Sequence, residues 1–316
     1  MVQDKSSNKE LNPQWVDCRI VSQFGISPHR VHADIDAWLA EDVGGGDVSQ
    51  WTQPADIARM RMQIIAKQDF ILCGLTLMAA VFQRAHGHAG LTLKSSFEDG
   101  AQVRAGDVVL EGEGDARCLL LGERVALNLS AHLSGITTKS KKMLDVVQRA
   151  AAAVQSRSPQ LLETRKTTPG LRLYEKYATR LAGVRNHRHA LDTGLMLKEN
   201  HLRSFGGISA ALRHAAQNAP VLTKLEVEVT NLSEFREALR GGADVIMLDN
   251  FPLSDVRIAV EERNAAGGAA ALEVSGNLSE ENIAAVAQLG VDYLSSGALI
   301  HQATWVDMSL QLYPVV

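Results

Sequence analysis

Five potential cations, Arg165, Lys166, His187, Arg188 and Lys198, lie in or beside short apolar runs in one stretch of the chain. A solvated surface intersperses acids among its bases. A concentration of cations instead suits a ligand with several negative charges: arginine grips a carboxylate through two parallel N–H bonds, and lysine meets phosphate as a compact charge. The whole chain does not supply this character, since its net charge is −4 and its pI about 6.2. The bases must therefore be gathered locally. Acids follow further along. Glu226 and Glu228 are two apart in LEVEV, so on a strand both point to one face. Asp249 closes VIMLD. Carboxylates beside phosphate-binding cations suit Mg²⁺, ribose hydroxyls or both; Glu226 could equally make an internal pair with a lysine. Ser275-Gly276-Asn277 and Ser296-Gly297 each close an apolar run. Such turns can hold phosphate on backbone N–H groups, although alone a glycine after a strand is an ordinary turn.

These residues need elements to position them. LLETRK, MLKEN, LEVEV, VIMLDN, LEVSG and YLSSG read as short strands alternating with helical pieces such as NLSEFREALRGG and LSEENIAAVAQLG. Glu228 to Asp249 and Ser275 to Ser296 are both spacings of 21 residues, which fit one βα unit each. Repeated units imply a parallel sheet. Every strand ends in polar groups. An open sheet concentrates its ligand groups at one switch point, whereas a barrel collects them from all its strands at one mouth. A barrel short of eight strands is expected, with a seventh strand sought near 183–190 or 143–150.

Upstream, residues 1–28 read as a polar arm, and Val31–Glu41 as a helix with Val31, Ile35, Trp38 and Leu39 on one face. RMQIIAKQDFILCG and LTLKSSFEDGAQVRAGDVVLEGEG suggest a compact strand-rich domain. GERVALNLSAHLSGITTKSKKMLDVVQRA is helical, with Ser134-Gly135 a candidate kink.

Other chemistries find little support. His86-Gly87-His88 reads as an exposed turn rather than a metal site, and His132, His189, His201 and His301 lack ligand spacing. There is no P-loop, no GxGxxG after a strand and no GxSxG elbow. Cys18, Cys73 and Cys118 are odd in number without CxxC spacing, so free thiols in a reducing compartment are expected. Aromatics at 5% argue against a base-stacking nucleic-acid surface. No apolar run approaches the roughly 20 residues of a spanning helix, and the polar N-terminus is unlike a signal peptide. The expectation is a cytoplasmic protein with no nucleic-acid or membrane partner.

The strings ETRKTTPGLR, NHR, LKENH, LEVEVTN, IMLDN, LEVSGN and DYLSSGALIH, with GERVALNLSAHLSGI, EDVGGGDVS and IAKQDFILCGL before them, resemble the quinolinate phosphoribosyltransferases in order and spacing. The resemblance covers roughly residues 30 to 316. It implies an N-terminal α/β sandwich, an incomplete six- or seven-stranded α/β barrel and a homodimer. The corresponding partition is an arm at 1–28, the sandwich at 29–133, the catalytic barrel at 134–298, and a segment at 299–316 that packs back on the first domain. By the same resemblance Arg124 is donated across the dimer interface to the quinolinate carboxylates, which Arg165, His187 and Arg188 also hold. Lys166 and Lys198 meet the charges of phosphoribosyl pyrophosphate, Glu228 and Asp249 serve its ribose and Mg²⁺, and Ser275, Gly276 and Gly297 cradle its 5′-phosphate, with Asn277 and Ser296 beside them in the same turns. No organic cofactor is implied.

Three departures stand out. LeuAlaGlyValArg at 181–185 replaces a glycine run, with Arg185 an added cation; HisAlaLeu follows NHR; and SerSerGly stands at 295–297. A molybdenum-transport-linked branch shares the scaffold but usually differs around KENH, which is intact here. The competing classes are a Schiff-base aldolase using Lys166 or Lys198 and a non-catalytic binder of anions.

Overall fold

A computed structural model describes residues 8–52, 59–87 and 90–315. The first seven residues of the expected arm, and His88, lie outside them. The strands run β1 (Lys9–Glu10), β2 (Arg59–Ala66), β3 (Phe70–Ile71), β4 (Thr92–Ser95), β5 (Gln102–Val103), β6 (Val108–Asp115), β7 (Gln160–Leu162), β8 (Leu195–Leu197), β9 (Leu225–Val229), β10 (Val245–Asp249), β11 (Ala271–Ser275), β12 (Tyr293–Ser295) and β13 (Met308–Pro314). The chain divides into two compact units: residues 1–138, 173–181 and 303–316 make the first, and residues 139–172 and 182–302 the second.

In the first unit, residues 8–28 are not the expected arm. Asn12 accepts the Trp15 N–H and Pro13 stands in the first turn, so α1 (Pro13–Phe24) starts cleanly; Gly25, at φ 68°, ends it. Val16, Ile20 and Phe24 recur every four residues and are buried. Helix α2 (Pro28–Val43) extends the expected Val31–Glu41 helix at both ends. Helix α3 (Leu75–His86) was not anticipated, because all nine residues from Leu75 to Gln83 are buried. A helix apolar all round has no face for periodicity to reveal. The half-buried His86 ends it and accepts the Asp115 N–H at 2.9 Å, a structural bond rather than an exposed turn. The antiparallel sheet has the order β1-β4-β6-β2-β13. The C-terminal strand β13 pairs with β2 along its whole length, from Met308 opposite Ala66 to Pro314 opposite Met60.

Helix α4 runs unbroken from Ala116 to Ala153, so Ser134-Gly135 does not divide it. Gly135 has a packing reason instead. A Cβ there would lie 2.1 Å from the Thr304 carbonyl oxygen, and Val306 N–H bonds to Ala131 O nearby at 3.2 Å. Gly135→Ala should therefore destabilise the protein by about 1–3 kcal/mol through overpacking, even though alanine alone favours a helix by about 1 kcal/mol. A denaturant midpoint equal to or above the parent's would contradict this.

The second unit holds six parallel strands in the order β7-β12-β11-β10-β9-β8, flanked by helices: an incomplete α/β barrel. Helix α5 (Arg172–Leu181) belongs to the first unit from Leu173 onward, and α6 (Glu199–Phe205), α7 (Ile208–Asn218), α8 (Leu232–Arg240), α9 (Leu253–Ala265), α10 (Ile283–Ala287) and α11 (Ala298–His301) belong to the second. The seventh strand sought near 183–190 amounts to one parallel bridge, Leu162 to Arg185, and 143–150 lies within α4. Strand alternation decides the rest. Val227, Val229, Ile246, Leu248, Leu272, Val274 and Leu294 pack into a buried core with Phe235, Val256, Ala259 and Ile283 from the helices. The intervening residues face the other way, into the barrel. Among the described residues no helix is long and apolar enough to cross a membrane.

Candidate active site

The barrel mouth opens into a cavity of about 350 Å³. Arg165 and Lys166 reach it from the turn after β7, His187 and Arg188 from the segment before β8, and Lys198, Glu228, Asp249 and Ser275 from the ends of β8 to β11. Met196 and Met247, one inward position deeper on their strands, supply apolar lining. A second cavity of about 430 Å³ shares Lys166, Asp249 and Ser275 with the first and adds Gly276, Asn277, Ser296 and Gly297. Every candidate from the second unit lines one cavity or both. Arg124 is not among these lining residues; it sits exposed on α4 in the first unit, 3.6 Å from Glu123. Arg185 lines neither of the two, and its Nη1 donates to Gln160 Oε1 at 2.7 Å.

Backbone geometry explains the glycines. Gly276 has φ 101°, and a Cβ there would stand 2.3 Å from Asn250 Oδ1 and 2.9 Å from Asn250 N. A Cβ at Gly297 would meet the Lys166 stem at 3.1 Å, so this glycine lets Lys166 pass close to the turn. The Ser296 hydroxyl has internal work: it donates to Leu278 O at 2.7 Å and accepts the Ala298 N–H at 3.3 Å.

The charges are arranged unequally. Lys198 forms an ion pair with Glu228. Arg188 Nη1 donates to Gly194 O at 3.0 Å. Desolvation, and then the like charge of Arg165, lower the Arg188 pKa. Two guanidinium groups that repel each other at a cavity wall gain most when an anion enters between them. Asp249 accepts from Asn250 Nδ2 at 2.9 Å. Glu228 and Asp249 together offer an all-oxygen set of the kind that Mg²⁺ uses along with water and substrate phosphate.

Glu226 does not pair with a lysine. Its Oε2 lies 3.1 Å from His187 Nε2, and Glu273 Oε2 lies 3.8 Å from the same nitrogen. His187 Nδ1 accepts the Arg188 N–H at 2.8 Å, and the His187 N–H donates to the buried Glu163 carboxylate at 2.7 Å. With Nδ1 accepting, the ring hydrogen is assigned to Nε2. Met196, Met247, Glu273, Ser295 and Thr164 also line the first cavity but were not singled out from the sequence. The signal was the two-residue period: Glu273 and Ser275 repeat on β11 the inward pair that Glu226 and Glu228 make on β9.

Comparison with known proteins bears on what this arrangement does. The family model for the quinolinate phosphoribosyl transferase C-terminal domain matches residues 136–311, and that for the N-terminal domain matches residues 48–134. A probable nicotinate-nucleotide pyrophosphorylase [carboxylating] of Synechocystis is 38% identical over 87% of this chain and 90% of its own length. One from Methanocaldococcus jannaschii is 38% identical over 87% and 94%. Among solved structures, NadC from Streptococcus pyogenes is 35% identical, with a TM-score of 0.83 over 92% of this chain and 99% of that one.

Proposed function

Because the chain belongs to the quinolinate phosphoribosyltransferase family, we infer that its barrel cavity is where quinolinate and phosphoribosyl pyrophosphate are joined. The enzyme is a nicotinate-nucleotide pyrophosphorylase (carboxylating), a pentosyltransferase of NAD biosynthesis. Its products are nicotinate mononucleotide, pyrophosphate and CO₂. The observation that carries the placement is the convergence of Arg165, Lys166, Arg188 and Lys198 on one small cavity edged by Glu228 and Asp249.

Departure of pyrophosphate leaves positive charge on the ribosyl carbon and negative charge on the leaving group. Lys166 and Lys198 stabilise the second, and the Glu228 and Asp249 carboxylates the first, from positions fixed before reaction begins. Lys198 exchanges its contact with Glu228 for the incoming phosphates. Glu228 and Asp249 are also the residues that would hold Mg²⁺, which when bound neutralises part of the pyrophosphate charge. Arg165 and Arg188 clamp the two quinolinate carboxylates and hold the ring nitrogen in line for attack. Once alkylated, the ring is a pyridinium and draws in the electron pair left by CO₂, so no organic cofactor is needed. Ser275, Gly276, Asn277, Ser296 and Gly297 form the 5′-phosphate side of the second cavity. Arg124 completes the quinolinate grip in a partner subunit of a homodimer; its exposure, with only the Glu123 carboxylate beside it at 3.6 Å, supports that role.

Purified protein with Mg²⁺ should convert quinolinate and phosphoribosyl pyrophosphate to nicotinate mononucleotide with equimolar CO₂. Nicotinate, with one carboxylate, should be a poor substrate because it leaves a desolvated arginine unpaired. Consumption of neither quinolinate nor phosphoribosyl pyrophosphate would remove the assignment, and equal use of nicotinate would move it to another pyridine acid.

A further inference from the structure

The reaction requires a proton that the clamp and the carboxylates at the mouth do not supply. When the C2–carboxyl bond breaks, its electron pair stays on the ring carbon as CO₂ leaves, and that carbon must gain hydrogen. We propose that Glu273 delivers this proton to C2 and is reloaded from the opposite end of the barrel. The inference rests on the placement of quinolinate in the first cavity.

The geometry of Glu273 sets it apart. It lies midway along β11, is only 2% exposed and still lines the first cavity. The buried Ser295 hydroxyl on the adjoining strand interacts with its carboxylate and favours the charged form; among the described residues no side chain makes a close, well-aligned hydrogen bond to Oε1. It also lines a third cavity, of about 520 Å³, with Glu226, Val245, Tyr293 and Lys224. Those residues come from the starts of the strands or just before them, and His187 and Arg188 line this cavity as well as the first, so it extends from the first cavity toward the strand starts. Glu273 thus faces the substrate space on one side and this extension on the other.

The other acids of the first cavity are less suitable donors. Arg165 and Arg188 bind their protons too tightly to release them. Lys198 and Lys166 are taken up by the charges of phosphoribosyl pyrophosphate, and Lys166 also lines the second cavity. Around Glu273 stand Glu226 of β9, His187, Lys198 just after β8, and Tyr293 and Ser295 of β12, with Glu163 behind His187 and Asp249 nearer the mouth on β10. Burial, and then the Glu226 charge, raise the Glu273 carboxyl to about 7, against the opposing pull of His187 and Lys198. Burial also works against a charge on His187, but Glu226, Glu273 and Glu163 outweigh it and raise that pKa too. One proton cannot sit on both groups. Nδ1 is already an acceptor for Arg188 N–H, so the geometry assigns the extra proton to Glu273.

The step balances. The Glu273 O–H bond breaks as the C2–H bond forms, the carboxylate is left behind, and water in the third cavity returns a proton to it. The acid form is present below about pH 7 and is lost as pH rises through that value, so kcat/KM for quinolinate should fall on the alkaline side.

Glu273→Gln keeps the shape and removes the acid. Its kcat should drop by about 10²–10⁴-fold, the usual contribution of a placed general acid. KM for both substrates should stay within about threefold, and the alkaline decline should vanish. Glu273→Asp, which retracts the acid by one methylene, should fall between the two and keep that decline. It tests the same point if the glutamine variant fails to fold. A parent-like kcat in either variant, or a loss confined to KM, overturns the proposal. So does a divalent metal retained by the parent and lost from Glu273→Gln, since His187, Glu226 and Glu273 place one ligand atom each within 4.8 Å of the others. Parent enzyme that fails to use quinolinate would instead sink the placement of substrate.

Discussion

Arg188→Ala should lower kcat/KM for quinolinate by about 2–5 kcal/mol, roughly 30- to several-thousand-fold, the cost of deleting one partner from a desolvated, hydrogen-bonded charge pair. Arg188 is partly buried, its pKa is lowered by desolvation and by Arg165, and its Nη1 is tied to Gly194 O at 3.0 Å. That tie fixes the guanidinium before any ligand arrives, so little ordering entropy is lost on binding. Gly194 makes the arrangement possible, because a Cβ there would press on the Arg188 stem at 3.3 Å. Arg188→Lys should recover only part of the loss, since an ammonium restores the charge but not the planar fork. The KM for phosphoribosyl pyrophosphate should change little in both variants. Steady-state kinetics with each substrate varied in turn decides the matter; an alanine variant with parent kcat/KM would remove Arg188 from the grip.

Lys198→Ala should reduce kcat by about 10²–10³-fold, the usual effect of removing one group aimed at charge that develops during reaction. It also strips Glu228 of its ion-pair partner, so Lys198→Ala and Glu228→Gln should combine less than additively. The same variant tests how the site is assembled. Under the proposed homodimer, Arg124→Ala damages the partner's site and Lys198→Ala damages its own. Co-expressed in equal amounts, the two variants should regain about a quarter of the parent activity, because half the dimers are mixed and each carries one intact site of two. No recovery on co-expression would place Arg124 outside the partner's site.

The barrel was readable because its strands obey two rules at once. Apolar residues that alternate with polar ones mark a sheet face, and polar residues at every strand end mark a mouth. Lys198, Glu228, Asp249 and Ser275 could be placed together on that pattern alone. Glu273 escaped because a single glutamate inside an apolar run draws little notice; its two-residue spacing from Ser275 gives its facing, and the register beside Met247 and Tyr293 agrees. His187 and Glu226 lie 39 residues apart, and only the folded barrel makes them neighbours. Helix α3 escaped for the opposite reason, an excess of apolar residues without a polar face. Helix α1 was hidden by its polar surroundings, although Asn12-Pro13 at one end and Gly25 at the other are start and stop signals.

The pairing of β13 with β2 has a consequence for the order of synthesis. The first unit is built mostly from residues that leave the ribosome early, yet β2 gains its outer neighbour only once Met308–Pro314, far along the chain, have been made. Until then one edge of that sheet displays unsatisfied N–H and C=O groups to whatever is nearby. The first unit is therefore completed only after the second has been translated, and the nascent chain depends on β13 to close that edge.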